Sequence, residues 1–367
     1  IKEATTVDEA WKAYIAERSA AMTPEGKPEW GVAHKRHHAN FVHPGGKPIT
    51  QGRRPSGPDT TKPGMLLPIM SMRLADLDAK VVAAWLDKDV PLRPTLTAQA
   101  FRALRAFMTW CSKNDLYKSV TDKDACEADW VRKKVPKPKS KPNDCLRKAQ
   151  IKPWFEAVRK VSNPIISAYL QCVLLTGPRR NELATLLWED VDFQWKSLTI
   201  RDKIEGVRTI PRTPYVEFLL LDLKRRNETP PVVSIDGYIC PSRKKKIAAR
   251  VAKWEPSPWV FSSTISESGC LKGPTKAHDK ACAAAGLSVS LHGLRRSFAT
   301  LSEWVEVPAG IVAQIMGHKP SAIAEKHYIQ RELDLLHLWH VKIEKWILEQ
   351  AGIEVPAQPG LSIVKTA

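Results

Sequence analysis

The sequence has no apolar run of transmembrane length and no basic-then-apolar leader at its N-terminus, so it offers neither a membrane span nor a secretory signal. Its seven cysteines are scattered, with no C-x-x-C pair and no histidine at zinc-finger spacing from one. That argues against a disulfide framework or a structural zinc site and points to a reducing cytoplasm. Acidic residues are in short supply, 39 against 57 Lys and Arg, which leaves a net charge of +18. No carboxylates cluster in a pattern that would hold a divalent metal. Tyrosine is scarce, at six in 367 residues, so one placed among basic and imidazole side chains stands out.

What is present suits two domains: 367 residues, 43% of them hydrophobic, give enough length and apolar surface for two cores. The positive excess favours a polyanionic partner, with nucleic acid the default. Residues 131–150 hold eight basic side chains and one acidic one. Pro136, Pro138 and Pro142 keep this stretch out of helices. We therefore expect a basic linker over 131–148 whose Arg132, Lys133, Lys134, Lys137, Lys139 and Lys141 lie along a DNA backbone. A solvated spacer is the plainer alternative.

Apolar spacing predicts a small all-helical domain over 1–130, with helices at 5–20, 30–42, 78–88 and 97–114 and an exposed loop over 43–65. His37 and His38 are expected on the solvent- or phosphate-facing side of the second helix. A larger domain is expected over 149–330. It begins with helices at 151–161 and 164–175, the second apolar enough to be buried and ended by Gly177. A helix at 181–187, a hairpin of strands 198–201 and 207–210, and a helix at 216–227 follow, with helices resuming at Thr275. Residues 331–367 begin with an amphipathic helix at 332–351 carrying Leu336, Trp339, Ile343, Trp346 and Ile347 along one side. The fold class is mainly α with a small β-hairpin, α+β.

The stretch from Leu291 to Tyr328 carries the chemistry. It holds His292-x-x-Arg295, then Gly317-His318, then Tyr328 ten residues later; upstream, TGPRRNEL supplies Arg179 and Glu182. A phenol is a weak nucleophile until a base takes its proton. Charge building on phosphate oxygens calls for fixed donors, and the planar, always-charged arginine fork suits them. Histidines titrate where they can serve as donor or base. Such a set could break a phosphodiester with no metal and no cofactor, keeping the bond energy in a phosphotyrosine ester. Taken singly, Arg179 reads as a helix-start charge and His292 as a core histidine; the ordered set carries the weight.

That order resembles the tyrosine recombinases, specifically the phage-type integrases, over about residues 147–350. The T-G-x-R-x-x-E-L box places the first arginine at Arg179 rather than Arg180, with Glu182 in support. The H-x-L-R box gives His292 and Arg295, the G-H box His318, and the tyrosine falls at Tyr328. A family lysine eight residues before an I-P falls at Lys203, where Arg201 and Arg208 flank it and hairpin register is weakly fixed by sequence. The resemblance implies a two-domain DNA clamp, a helical core-binding domain followed by a catalytic domain. It also implies a site-specific recombinase that integrates or excises a mobile element such as a viral genome, acting as a homotetramer on two double-stranded attachment sites, with accessory DNA-bending or excision factors. Folding back on its own domain is the default for the segment after the tyrosine, while the resemblance implies docking on a neighbouring protomer; an arm-binding domain, where the family has one, would precede Ile1. Two rival functions stay open at this point: DNA relaxation of the type IB topoisomerase kind, and a catalytically silent DNA-binding protein.

Overall fold

The computed structural model describes residues 4–49, 59–137, 143–202, 206–230, 254–264, 266–318 and 331–354. The chain separates into two compact units, Ile1–Ser140 and Lys141–Ala367.

The first unit is built on the α-helices α1 (Val7–Ala20), α2 (Val32–Phe41), α3 (Leu67–Met70), α4 (Ala79–Asp89), α5 (Pro94–Cys111) and α6 (Asp129–Arg132), joined by loops. Its first helix starts on a reciprocal cap. Glu9 N–H donates to Thr6 Oγ1 at 3.3 Å, and Thr6 N–H donates to the Glu9 carboxylate at 2.9 Å, satisfying two backbone donors that a helix start otherwise leaves open. Phe101, Leu104, Phe107, Met108 and Cys111 of α5 form the stripe that closes the core. This helix begins at Pro94, three residues ahead of the expected start, because proline is preorganised for the first helical turn.

Two expectations for this unit need correction. His38 is a core residue rather than a surface one: it is buried and stacks 4.3 Å from Trp30, and burial holds its pKa below the usual histidine range. Residues 131–137 also belong to this unit instead of a free linker, since Val131 is fully buried in the core and Lys134 Nζ pairs with Asp87 at 2.7 Å.

The second unit is built from α7 (Ile151–Arg159), α8 (Pro164–Thr176), α9 (Arg180–Ala184), a sheet, α10 (Pro214–Glu228), α11 (Thr275–Ala284), α12 (Leu291–Ser302), α13 (Ala309–Met316) and α14 (Leu333–Ala351). The sheet is antiparallel in the order β1 (Val191–Asp192), β2 (Ser197–Asp202), β3 (Gly206–Pro211). Its first strand was not expected. Register pairs Leu198 with Ile210 and Asp202 with Gly206, so the hairpin is longer than the alternation alone suggested. Every residue of α8 from Ser167 to Thr176 is buried, as its nearly all-apolar sequence requires, and the polar Ser167, Gln171 and Thr176 among them are hydrogen-bonded inside. The short α9 stops at Ala184, because Leu186 accepts from Val260 N–H and Leu187 bridges to Trp259.

The last helix docks within its own unit. Leu336, Ile343, Ile347 and Leu348 of α14 join the same core as α7, α8 and α12, with Trp339 and Trp346 partly buried against it. Two polar side chains unforeseen on this face are buried as well. His340 Nε2 donates to the Leu175 carbonyl at 2.8 Å. The Glu344 carboxylate accepts from Thr213 Oγ1 and from the Tyr215 and Val216 amides at the start of α10.

Candidate active site

Three helix ends converge in the catalytic unit. At the C-terminus of α8, Gly177 takes φ +62°, and a Cβ there would sit 2.6 Å from the Phe298 ring. At the C-terminus of α13, Gly317 takes φ +71°, and a Cβ there would sit 2.7 Å from Arg208 Cζ. Both conformation and space therefore demand glycine at these two turns. Each turn reverses the chain immediately before a candidate residue: Arg179 follows the first by two positions, and His318 follows the second directly.

The last turn of α13 gathers three arginines from three other elements. The carbonyl of Ile315 accepts from Arg208 Nε at 3.3 Å, that of Met316 from Arg295 Nη1 at 2.9 Å, and that of Gly317 from Arg179 Nη2 at 3.4 Å. Terminal carbonyls carry the negative end of a helix and lack intrahelical partners, so cations are held there on two counts. Arg295 also donates from Nη1 to the Gly177 carbonyl at 2.7 Å. It is 4% exposed, which fixes its fork by packing as well as by hydrogen bonds.

Arg179 is the residue before the first turn of α9 and is held by Glu182. Its own N–H donates to Glu182 Oε2 at 3.0 Å and its Nη1 to Oε1 at 2.8 Å. Glu182 Oε2 also takes Arg208 Nη2 at 2.8 Å, so one buried carboxylate orients two guanidinium groups. Arg180, the neighbour the motif passed over, is exposed and reaches only Asn181 at 3.4 Å.

His292 and His318 line one open cavity of about 390 Å³ together with Arg295, Arg296, Asp144 and Met316. His292 sits on the first turn of α12, whose N-cap Ser290 is fixed by Asp144. Asp144 accepts from Ser290 N–H at 2.8 Å and Ser290 Oγ at 2.6 Å. The pKa of His292 is lowered, chiefly by partial burial and then by the charges of Arg296 and Arg295, with Asp144 opposing. It is therefore held neutral at physiological pH, the form a base requires.

Sequence reasoning named Arg179, Glu182, His292, Arg295 and His318, and the fold brings all five to this one region. Lys203 and Tyr328 lie outside the described residues, as do Lys139 and Lys141. Their surroundings are described on either side. Strand pairing reaches Asp202 and Gly206, flanking Lys203. The chain bearing Tyr328 leaves at His318 and returns at Arg331, whose carbonyl accepts from Gln314 Nε2 of α13 at 3.4 Å. Arg132, Lys133 and Lys137 are exposed, while Lys134 pairs with Asp87.

Arg208 was missed as a site residue. The available signal was its phase on β3: it lies two positions from the fully buried Ile210, and alternate strand residues share a face. Arg201, the other flanking cation, is committed elsewhere, donating to Asp190 at 2.7 Å and Glu189 at 2.9 Å. Among the described residues no group of three or more His, Cys, Asp or Glu is placed to hold a metal ion, and no helix is long and apolar enough to cross a membrane.

A mainly helical two-unit chain that sets arginines and histidines around an open cavity suits binding and chemistry on a phosphate. Comparison with known proteins makes the class specific. Residues 6–133 match the phage integrase core-binding domain and residues 144–333 the phage integrase family. Prophage integrase IntF of Escherichia coli (strain K12) is 45% identical over 355 residues, spanning 96% of this chain and 70% of that protein. Among solved structures, a lambda integrase tetramer bound to a Holliday junction superposes with a TM-score of 0.54 at 15% identity, covering 90% of this chain and 81% of that one. The Tn1549 transposon integrase in complex with circular intermediate DNA gives 0.56 at 14% identity, covering 90% and 97%. The chain belongs to the phage integrase family and is a tyrosine-type site-specific recombinase.

Proposed function

We propose that the chain cuts and rejoins DNA at attachment sites through a 3′-phosphotyrosine link formed by Tyr328. Arg179 and Arg295 hold the non-bridging oxygens of the scissile phosphate, with His318 donating beside them. His292 takes the phenol proton as Tyr328 Oη bonds to phosphorus, and the bond from phosphorus to the 5′-oxygen breaks. Lys203 supplies the proton that leaves a 5′-hydroxyl. Attack by the 5′-hydroxyl of a partner strand reverses each step and seals the exchanged strand, so the ester keeps the energy that ligation needs.

The observation that carries this reading is the row of three carbonyls, Ile315, Met316 and Gly317, that gathers Arg208, Arg295 and Arg179 next to His318. The choice of tyrosine is supported by what four of the other five do, Tyr238 lying outside the described residues. Tyr169 and Tyr215 are buried, with hydroxyls donating to the Arg180 carbonyl and to Gln171, and burial raises both pKa values. Tyr14 and Tyr117 belong to the first unit. Tyr328 is three residues from Arg331, a chain reach of about 10 Å, and Arg331 is anchored to α13.

On this reading the partners are double-stranded attachment sites, engaged by four protomers on two duplexes with accessory bending or excision factors, in the cytoplasm. The two units would clamp the duplex, with Arg132, Lys133 and Lys137, together with Lys139 and Lys141, along its backbone. The test is a nicked suicide duplex carrying the junction sequence from the end of the element that encodes the chain. A covalent adduct that disappears in Tyr328→Phe supports the reading. Absence of adduct on that duplex sinks it in favour of a silent binding protein, and relaxation of a plasmid lacking the site would indicate a topoisomerase.

A further inference from the structure

Arg208 has a place in the site that its motif did not predict. Its side chain is 13% exposed, and its partner Glu182 is 7% exposed. One edge of the guanidinium meets the Glu182 carboxylate at 2.8 Å, while Nε reaches the Ile315 carbonyl at 3.3 Å. Its Cζ also packs against Gly317 so closely that a Cβ there would be 2.7 Å away. One side chain on β3 thus touches the residue that orients Arg179 and the turn that launches His318. Five positions before Arg208 on the same hairpin stands Lys203.

We infer that Arg208 is a positioning residue for DNA cleavage, which sets Arg179 and His318 through Glu182 and the Ile315–Gly317 turn and ties both to the hairpin carrying Lys203. This rests on the reading of Arg179 and His318 as phosphate ligands.

Two physical effects support the assignment. The first is charge. A buried Glu182 facing Arg179 alone would form a closed pair of zero net charge, a weak ligand for an anion. With Arg208 on the same carboxylate, the charge of Glu182 is divided between two guanidinium groups, and its hold on Arg179 is weaker in charge while kept in direction. The second is geometry. A buried guanidinium holds its donors in one rigid plane, whereas an ammonium presents three donors that rotate about a single bond. Arg208 uses this to lock the α9 start, the α13 end and β3 into one arrangement. Displacing such a support by about 1 Å can lower a rate about 100-fold without touching substrate.

The experiment uses the full chain and the nicked suicide duplex described above. Arg208→Met, Arg208→Lys and an Arg295→Gln control are compared for duplex binding, single-turnover adduct formation and thermal unfolding. We expect Arg208→Met to bind the duplex within about threefold of the wild type and to cleave about 100-fold more slowly, with Arg208→Lys recovering part of that loss by keeping the charge next to Glu182. Combining Arg208→Met with Glu182→Gln should cost less than the product of the two single losses, because the pair acts as a unit. Cleavage by Arg208→Met at close to the wild-type rate overturns the inference. So does a loss of cleavage that the lysine variant fails to relieve and that follows, in both variants, a fall in duplex binding and in unfolding temperature, which would mark Arg208 as a fold residue only. An Arg295→Gln chain that still cleaves normally would instead overturn the site reading itself, so the two failures are distinguishable.

Discussion

Arg295 and Met316 are joined side chain to backbone: Nη1 of the arginine donates to the methionine carbonyl at 2.9 Å, two residues ahead of His318. The same nitrogen meets the Gly177 carbonyl at 2.7 Å, two residues ahead of Arg179. The arginine proposed as a phosphate ligand thus also joins the two turns that precede Arg179 and His318. Arg295→Lys keeps the charge but cannot span both carbonyls and a phosphate with one fork. Single-turnover cleavage should fall by about 100-fold or more, and unfolding in urea should show a loss of about 2 kcal/mol from the buried bonds left unmade. Cleavage close to wild type in this variant would show that this join has no catalytic consequence.

Gly177→Ala tests the first turn without touching a charge. Alanine at φ +62° is strained, and its Cβ would press on the Phe298 ring at 2.6 Å. Backbone strain plus overpacking should cost about 2–4 kcal/mol in a urea titration. Because Gly177 supplies a carbonyl to Arg295, cleavage should fall further than duplex binding. Stability unchanged within error would mean that the turn tolerates a side chain.

The pH dependence of cleavage reports on His292. Its pKa is lowered, first by partial burial and then by Arg296 and Arg295. If it is the base, the rate should rise with pH through a midpoint below the ordinary histidine value of about 6.5 and be flat at neutrality. Arg296→Gln removes a repelling charge and should move the midpoint up. Asp144→Asn removes the opposing attraction and should move it down. Midpoints that stay put in both variants would assign the titration to another group.

Much of this site was legible because its residues sit in short, ordered boxes, and because turns advertise themselves: Gly177 and Gly317 each stand where a helix must end. The N-terminal helices followed from the 3.6-residue stripes of α4 and α5. What escaped were contacts between elements far apart in sequence. Arg208 resembles any strand cation until register sets it on the face of Ile210 and tertiary packing delivers Glu182, 26 positions away. His38 read as surface because its neighbours are basic, yet helical phase turns it toward Trp30. Glu344 and His340 broke the apolar pattern of α14, and their partners, the α10 start and the Leu175 carbonyl, cannot be found by periodicity.

Stability of the catalytic unit should fall in mild acid. His278 and His340 are buried with pKa values lowered to about 4, burial being the main cause. Between pH 6.5 and about 4 the unfolded chain takes up protons that the folded chain refuses, so each histidine removes up to about 3 kcal/mol across that window. Glu344 works the other way. Burial raises its pKa to about 7, so its favourable contribution is complete below the unfolded value near 4.5 and is lost as pH rises through 7. Two histidines outweigh one carboxyl, and stability should rise with pH over this range. His340→Gln should flatten the slope and Glu344→Gln steepen it, read from urea titrations at several pH values. Slopes unchanged in both variants would show that these groups do not titrate with folding.

The way α14 packs decides which deletion can test exchange between protomers. Deleting everything from Glu332 onward would remove Leu336, Ile343, Ile347 and Leu348 from the core of the unit. At about 2–4 kcal/mol for each large buried side chain, the truncated unit should not fold at all. Loss of recombination in that deletion would say nothing about neighbours. The helix meets its hydrophobic requirement at home, so a test of docking between protomers has to leave α14 intact. Ending the chain at Glu354 should leave the thermal unfolding of the catalytic unit near wild type and adduct formation on a suicide duplex largely intact. Strand exchange between two duplexes should drop about tenfold or more, as expected when a protomer contact contributes 1–2 kcal/mol. If the shortened chain exchanges strands at the full rate, docking between protomers does not depend on the tail.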